Sequence, residues 1–378
     1  MGKVRHLPLS VPYLGGNEEK YLVECVKTGW VSSVGPFVDR FEKAVSGYCG
    51  AEHAVAVSAG TTALHTALLI LGIKEDEEVL VPTLTFIATV NVVKYVGAHP
   101  VFMDCDDHLN IDPLKVREFC EKKCVLRKGK LVNRRTGRRV RAVIPVHALG
   151  FPADMEKIMD LAEEFGLYVI EDAAESIGSR YISGRYAGKH TGTIGHIGCY
   201  SFNGNKIITS GGGGMVVTSD GEYARAARYL SNQAKDAPVY FLHHNVGYNY
   251  RMTNLQAAVG LAQLEQLDGF IRTKRENFEY YRKRIEKMAG LRMIIEPANS
   301  FWNAWYYSVV FSGTKCPGVG EIIEAISKED IQVRPLWNLN HTQRPYMREQ
   351  KYRIKKAVEY FNSVINVPCS IGIKPADK

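Results

Sequence analysis

The run Tyr168-Val169-Ile170-Glu171-Asp172-Ala173-Ala174-Glu175 passes without a break from apolar, β-branched residues into acidic ones. An apolar run that does not alternate with polar residues suits a strand covered on both faces, as in a parallel sheet between helices. In such a sheet ligands bind beyond the carboxyl ends of the strands, which puts Asp172 where a ligand would meet it. An acidic helix cap would leave the same trace. Working outward, similar runs at Ala54-Val57, Val79-Val81, Pro100-Met103 and Ala142-Val146 alternate with helix-like segments between about Cys49 and Ser219. Thr61-Leu71 and Asp154-Phe165 have the period and length of covering helices, and the alternation predicts an α/β fold.

Two further segments leave strands in the same manner. Tyr200-Ser201-Phe202-Asn203-Gly204-Asn205-Lys206 ends on an amine flanked by small and apolar residues. Desolvation there makes Lys206 a candidate Schiff-base nucleophile, although a solvated lysine is the plainer reading. In Ser58-Ala59-Gly60-Thr61-Thr62-Ala63-Leu64 a strand gives way to a helix start, whose free N–H groups suit a phosphate or serve an ordinary cap. Gly211-Gly214 lead into the strand-like Met215-Val217. A dinucleotide fingerprint requires strand, glycines and helix in that order, so a tight turn beside a ligand fits better. Phosphate cradle, acid and amine together are what pyridoxal phosphate (PLP) needs.

The rest of the chain sets bounds. At 378 residues, with 46% apolar and 23% charged residues, two domains with real cores are expected. No stretch approaches the roughly 18 apolar residues of a membrane helix, and the N-terminus lacks a signal-peptide apolar region, so a cytoplasmic, non-membrane protein is expected. The eight cysteines form neither a disulfide framework nor a zinc site, so no metal is expected. The net charge of +8 is concentrated in Arg127 through Arg141, a solvated basic hairpin or an anion attractor, and no nucleic-acid module accompanies it. A long helical stretch, Leu255-Asp268 and on through Arg284, leads to strand candidates Arg292-Ile295 and Trp305-Phe311. It predicts a bridge into a smaller α+β domain, with the division at 1–255 and 256–378.

Taken in order, several segments resemble the DegT/StrS-type sugar aminotransferases of PLP fold type I. They are Thr28-Gly29-Trp30-Val31-Ser32-Ser33, Gly35-Pro36, Ser58-Leu64, Pro82-Thr89, Glu171-Ala174, Ser201-Lys206 and Gly247-Ala258, and the match covers nearly the whole chain. The resemblance implies a mostly parallel seven-stranded sheet flanked by helices, with a smaller C-terminal domain. It implies that Lys206 holds the cofactor as a Schiff base and is the catalytic residue. Asp172 would pair with the ring nitrogen, Phe86 would stack on the ring, and Thr61, Thr62 and Ser201 would hold the phosphate. Glu175 would neighbour the ring at a place where relatives often carry histidine or glutamine. Asn249 matches an asparagine that completes the neighbouring subunit's phosphate site, which implies a homodimer with shared active sites.

The activity implied is transfer of an amino group from L-glutamate, through pyridoxamine phosphate, to a nucleotide-linked keto-sugar. A lysine at 206, where sugar dehydratases of this family carry histidine, favours transamination over dehydration, and a PLP-binding regulator without turnover has no support in the intact constellation. The 124–140 segment, Ile207-Ile208-Thr209 and Arg334-Pro335-Leu336-Trp337 look most like the branch acting at C4 of UDP-4-keto-6-deoxy-N-acetylhexosamines. GDP-4-keto-6-deoxymannose is the alternative, and either product would feed surface glycans such as O-antigen. Arg334 and the basic segment are expected near the substrate diphosphate, and Trp30, Ser33 and His147 near the sugar. Trp30 as plain core and His147 as a satisfied strand-end histidine are the competing readings.

Overall fold

The computed structural model describes residues 6–237, 239–312 and 317–373, so the reading of residues 1–5 lies outside it. Its main sheet runs, edge to edge, His53–Val57, Gly214–Thr218, Ile197–Ser201, Tyr168–Asp172, Val140–Val143, Glu78–Pro82, His99–Met103 and Lys351–Tyr352. Gly214–Thr218 is antiparallel to both neighbours, and every other adjacent pair is parallel. The seven expected strands are therefore present. The eighth is a two-residue addition from the C-terminal part of the chain. The expected strand Ala142-Val146 stops at Val143, with Val146 making only an isolated bridge to Asp172. Pro145 has no N–H to continue the ladder.

Both faces of the sheet are buried, as the unbroken apolar runs require. Val79, Val81, Phe102 and Ile170 pack on one side with the helix Gly60–Ile70, whereas Leu80, Val101, Val143 and Val169 pack on the other with Met155–Phe165. Alternate residues of one strand thus feed opposite cores. Each fully buried aliphatic side chain contributes roughly 1.5–3 kcal/mol.

Beyond Tyr250 the expected long helix is two, Asn254–Leu264 and Leu267–Ile285. The first is fixed at its start by Thr253 and Gln256: Gln256 N–H donates to Thr253 Oγ1 and Thr253 N–H to Gln256 Oε1. A second, antiparallel sheet follows, ordered Leu291–Met293, Tyr307–Phe311, Val364–Val367, Arg334–Pro335. The division expected at 255/256 is crossed from both sides. Leu7 and Leu9 bond to residues 330, 332 and 369, so the N-terminal segment packs with the C-terminal part. Asn340 N–H in turn donates to Thr83 O, and Lys351–Tyr352 joins the main sheet.

The basic segment is a hairpin, Cys124–Arg127 with Lys130–Asn133, followed by a loop on which Arg138 meets Asp76 at 3.4 Å and Arg139 meets Glu77 at 3.8 Å. Thr136 donates to Glu78, the first residue of its strand. The segment therefore lies at the amino ends of the strands. That corrects the expectation that it faces a ligand, because the chain's candidate site opens at the carboxyl ends.

Candidate active site

A cavity of about 670 Å³ opens beyond the carboxyl ends of the main strands, lined by Gly60, Thr61, Phe86, Asp172, Glu175, Ser201 and Lys206 together with Trp305, Tyr306, Arg334 and Trp337. A larger groove of about 900 Å³ runs along the outer face of Leu267–Ile285, between Arg180, Arg272 and Phe301. It holds none of the residues singled out from the sequence, so chemistry and not size identifies the site.

Lys206 follows the strand Ile197–Ser201, and its side chain is only 12% exposed. Its Nζ donates to Glu175 Oε1 at 3.1 Å and sits 4.3 Å from the centroid of the Trp305 ring. Trp305 is anchored through Nε1–H to the carbonyl of Asn205, the residue before Lys206. Sequence reading placed Trp305 in a strand. The strand begins at Tyr307, after Ala304 takes a left-handed conformation (φ 57°) that turns the indole into the cavity wall.

Glu171 and Asp172 show how neighbours on one strand part company. Pleating sends their side chains to opposite faces. Glu171 is fully buried and accepts from Gly192, Ile194 and Gly195 N–H and from His147. Burial pushes its pKa up, yet the histidine and the backbone donors outweigh that and hold it below the usual carboxylate value. Asp172 faces the cavity and, among the described residues, accepts from Thr89 Oγ1 at 2.6 Å and Ala174 N–H at 3.1 Å alone. Burial dominates there, and the pKa is raised. Glu175 is likewise raised by burial, against the opposing pull of Lys206.

His147 is not a sugar contact. It is fully buried, with Nε2 on Glu171 at 2.9 Å and Nδ1 accepting from Ala153 N–H at 3.0 Å, so both ring nitrogens are spent inside the fold.

The helix Gly60–Ile70 begins at the cavity wall. Its first amides have no intrahelical acceptor. Thr61 and Ser201 line the cavity with hydroxyls that have no hydrogen-bond partner among the described residues. Thr62 departs from expectation: its Oγ1 donates to Ala59 O at 2.8 Å and accepts from Ala59 N–H at 3.0 Å, so this hydroxyl closes the turn and does not reach the cavity. The sequence shows the helix start but not the part Gly60 plays in it. A Cβ on it would come within 2.7 Å of Ser201 Cβ, and this close approach brings the helix start against the strand end.

Phe86 is 55% exposed at the cavity, and Arg334 lines its other side. Trp30 and Ser33 do not line it. Trp30 is 48% exposed, which also corrects the core alternative, and it is held by its carbonyl, which accepts from Asn254 Nδ2. Asn249 is exposed and outside this chain's own cavity.

These donors and acceptors fit PLP. Open hydroxyls and helix amides suit a phosphate, an under-partnered buried carboxylate suits a protonated ring nitrogen, and a buried amine suits the aldehyde. Among the described residues, no group of His, Cys, Asp and Glu could hold a metal ion, no helix is long and apolar enough to cross a membrane, and the cysteines are free.

Comparison with known proteins places the chain in a wider context. Residues 12–378 match the model of the DegT/DnrJ/EryC1/StrS aminotransferase family. The chain is 36% identical over 381 residues to a GDP-perosamine synthase of Caulobacter vibrioides, covering 100% of this chain and 96% of that one. It is 38% identical over 369 residues to a GDP-perosamine synthase of Escherichia coli O157:H7, covering 97% and 93%. A DegT DnrJ EryC1 StrS aminotransferase from Brucella abortus superposes with a TM-score of 0.85 at 27% identity, covering 96% of this chain and 92% of that one. The chain belongs to the DegT/DnrJ/EryC1/StrS aminotransferase family and is an aminotransferase whose cofactor is PLP.

Proposed function

We propose that the enzyme transfers the amino group of L-glutamate to C4 of a nucleotide-linked 4-keto-6-deoxysugar, in the cytoplasm, as a homodimer, for surface-glycan amino-sugar synthesis. The observation that carries this reading is the meeting of Lys206, Asp172 and the Gly60–Thr61 helix start at one cavity at the carboxyl ends of the strands. PLP, when bound, supplies a carbonyl carbon for the incoming amine and an electron-withdrawing ring. Lys206 holds it and, once released, moves the proton at the substrate carbon that bears nitrogen. Asp172, fixed by Thr89, keeps the ring nitrogen protonated. Thr61, Ser201 and the helix amides hold the phosphate, Phe86 covers the ring, and Arg334 faces the nucleotide diphosphate. Asn249 is exposed and free to serve a second subunit's site.

The two perosamine synthases favour a GDP-linked 4-keto-6-deoxymannose, which reverses the order of preference drawn from sequence. A UDP-linked 4-keto-6-deoxy-N-acetylhexosamine is the second reading, drawn from the likeness of the stretch Arg334-Pro335-Leu336-Trp337, which lines the cavity, to the branch acting on such sugars. Protein loaded with pyridoxamine phosphate is mixed with each sugar nucleotide in turn, without glutamate. Return of the visible cofactor band with one of them names the acceptor; silence with both removes the sugar assignment while leaving the cofactor chemistry intact.

A further inference from the structure

Glu175 is built into the site more firmly than a chance neighbour of the ring. Its Oε2 accepts from Leu149 N–H at 2.8 Å, and its own carbonyl accepts from Asn303 Nδ2 at 2.9 Å. Leu149 adopts a left-handed conformation (φ 53°), unfavourable for a leucine and held because its carbonyl accepts from Trp302 Nε1 at 2.9 Å. This fixed backbone turns an amide toward one carboxylate oxygen and leaves the other, Oε1, on Lys206 Nζ at 3.1 Å. Asp172, one turn of chain earlier, makes no hydrogen bond to Lys206 and is tied to Thr89 instead.

We infer that the two cavity carboxylates divide the work, Asp172 serving the cofactor ring and Glu175 serving as the positioning residue that holds the proton on the nitrogen of Lys206. The inference rests on Lys206 being the cofactor lysine. The charged and titratable groups facing Glu175 are Lys206, Asp172 and Tyr306, with Arg334 across the cavity, and of these Lys206 is the one hydrogen-bonded to its carboxylate. The hydrogen bond from Nζ to Oε1 at 3.1 Å is charge-assisted while the nitrogen carries its proton, so replacing the carboxylate with a neutral amide should make that proton easier to lose.

The test is a pH titration of the visible band of the Lys206-bound cofactor, with no sugar or donor present, in the wild type and in Glu175→Gln. Glutamine keeps the size and an acceptor for Leu149 N–H. The midpoint is expected to fall by about one unit or more in the variant, a tenfold change in the proton equilibrium. Glu175→Asp, which keeps the charge, should recover part of the shift. An unmoved midpoint in a variant that still shows the band overturns the inference alone. Absence of a band in the wild type overturns both it and the assignment of Lys206. If the glutamine variant takes up no cofactor, competitive acetylation of Lys206 in the cofactor-free protein at about pH 8 reads the same pair. Labelling about tenfold faster than wild type supports the inference, and equal rates reject it.

Discussion

The two ends of the main sheet carry charge in opposite ways. At the amino ends, Arg138 and Arg139 are partly exposed and paired with Asp76 and Glu77, and Arg134 donates to the carbonyl of Cys124. Such surface pairs are worth about 0–1 kcal/mol and impose no demand for a ligand. At the carboxyl ends, Asp172 and Glu175 are at most 5% exposed, share the cavity wall with Lys206, and have pKa values raised by burial. A high density of charge marked one region in the sequence. Burial without enough partners marks the other as the place where a ligand completes the chemistry.

The contrast breaks first at Lys206. On the proposed reading Lys206→Ala removes both the cofactor's attachment and the proton carrier, so it should lower turnover about 10⁴-fold or more, and loss of the visible band should accompany it. Full activity in that variant would remove the site assignment. Asp172→Asn comes next. It keeps the shape and the acceptor for Thr89 but not the charge, and kcat is expected to fall about 10²–10³-fold, as for loss of one charge-stabilising group in a buried site.

The same substitution should act in the opposite direction on the cofactor-free protein. Burial raises the Asp172 pKa above its ordinary value of 3.8. The folded state then binds this proton more tightly than the unfolded chain, so its stabilising effect is present at low pH and is lost as pH rises through the window above 3.8. Wild-type cofactor-free protein should therefore lose thermal stability relative to Asp172→Asn on going from about pH 4 to about pH 7. Melting curves across that range check it, and a constant gap would mean that Asp172 is adequately solvated or paired without the ring.

The placement of Asp172 and Lys206 at the cavity was legible because one ends an apolar strand and the other follows one closely, and a doubly covered sheet leaves few places for such residues to go. The helix start at Gly60–Thr61 was legible for the same reason. Contacts that depend on side-chain direction or on distant segments were not. Thr89 reaches Asp172 across 83 residues, Leu149 presents its amide to Glu175 through an unusual backbone angle, and Trp305 arrives from beyond the bridging helices. Thr62 and His147 show the converse. The right residue type stood near the right place, but a one-residue change of facing spent the hydroxyl on Ala59 and the imidazole on Glu171.

The smallest effects belong to the basic hairpin and should carry the opposite sign. Its turn is two residues, Lys128 and Gly129, both with positive φ (50° and 72°), between the paired Arg127 and Lys130. Asn-Gly is the preferred sequence for a turn of this kind, and a left-handed conformation costs most residues about 1–2 kcal/mol, asparagine less. Lys128→Asn should therefore raise unfolding stability by about 0.5–1 kcal/mol while removing a charge from the most basic stretch of the chain. Because that stretch lies at the amino ends of the strands, kcat and KM for the sugar nucleotide should stay within about twofold of wild type, too small a change to register as a lost binding contact. Denaturant midpoints and steady-state rates on the same preparations measure both. A rise in KM without loss of stability would mean that the hairpin reaches a substrate after all, through a second copy of the chain, and would erase the difference between the two ends of the sheet.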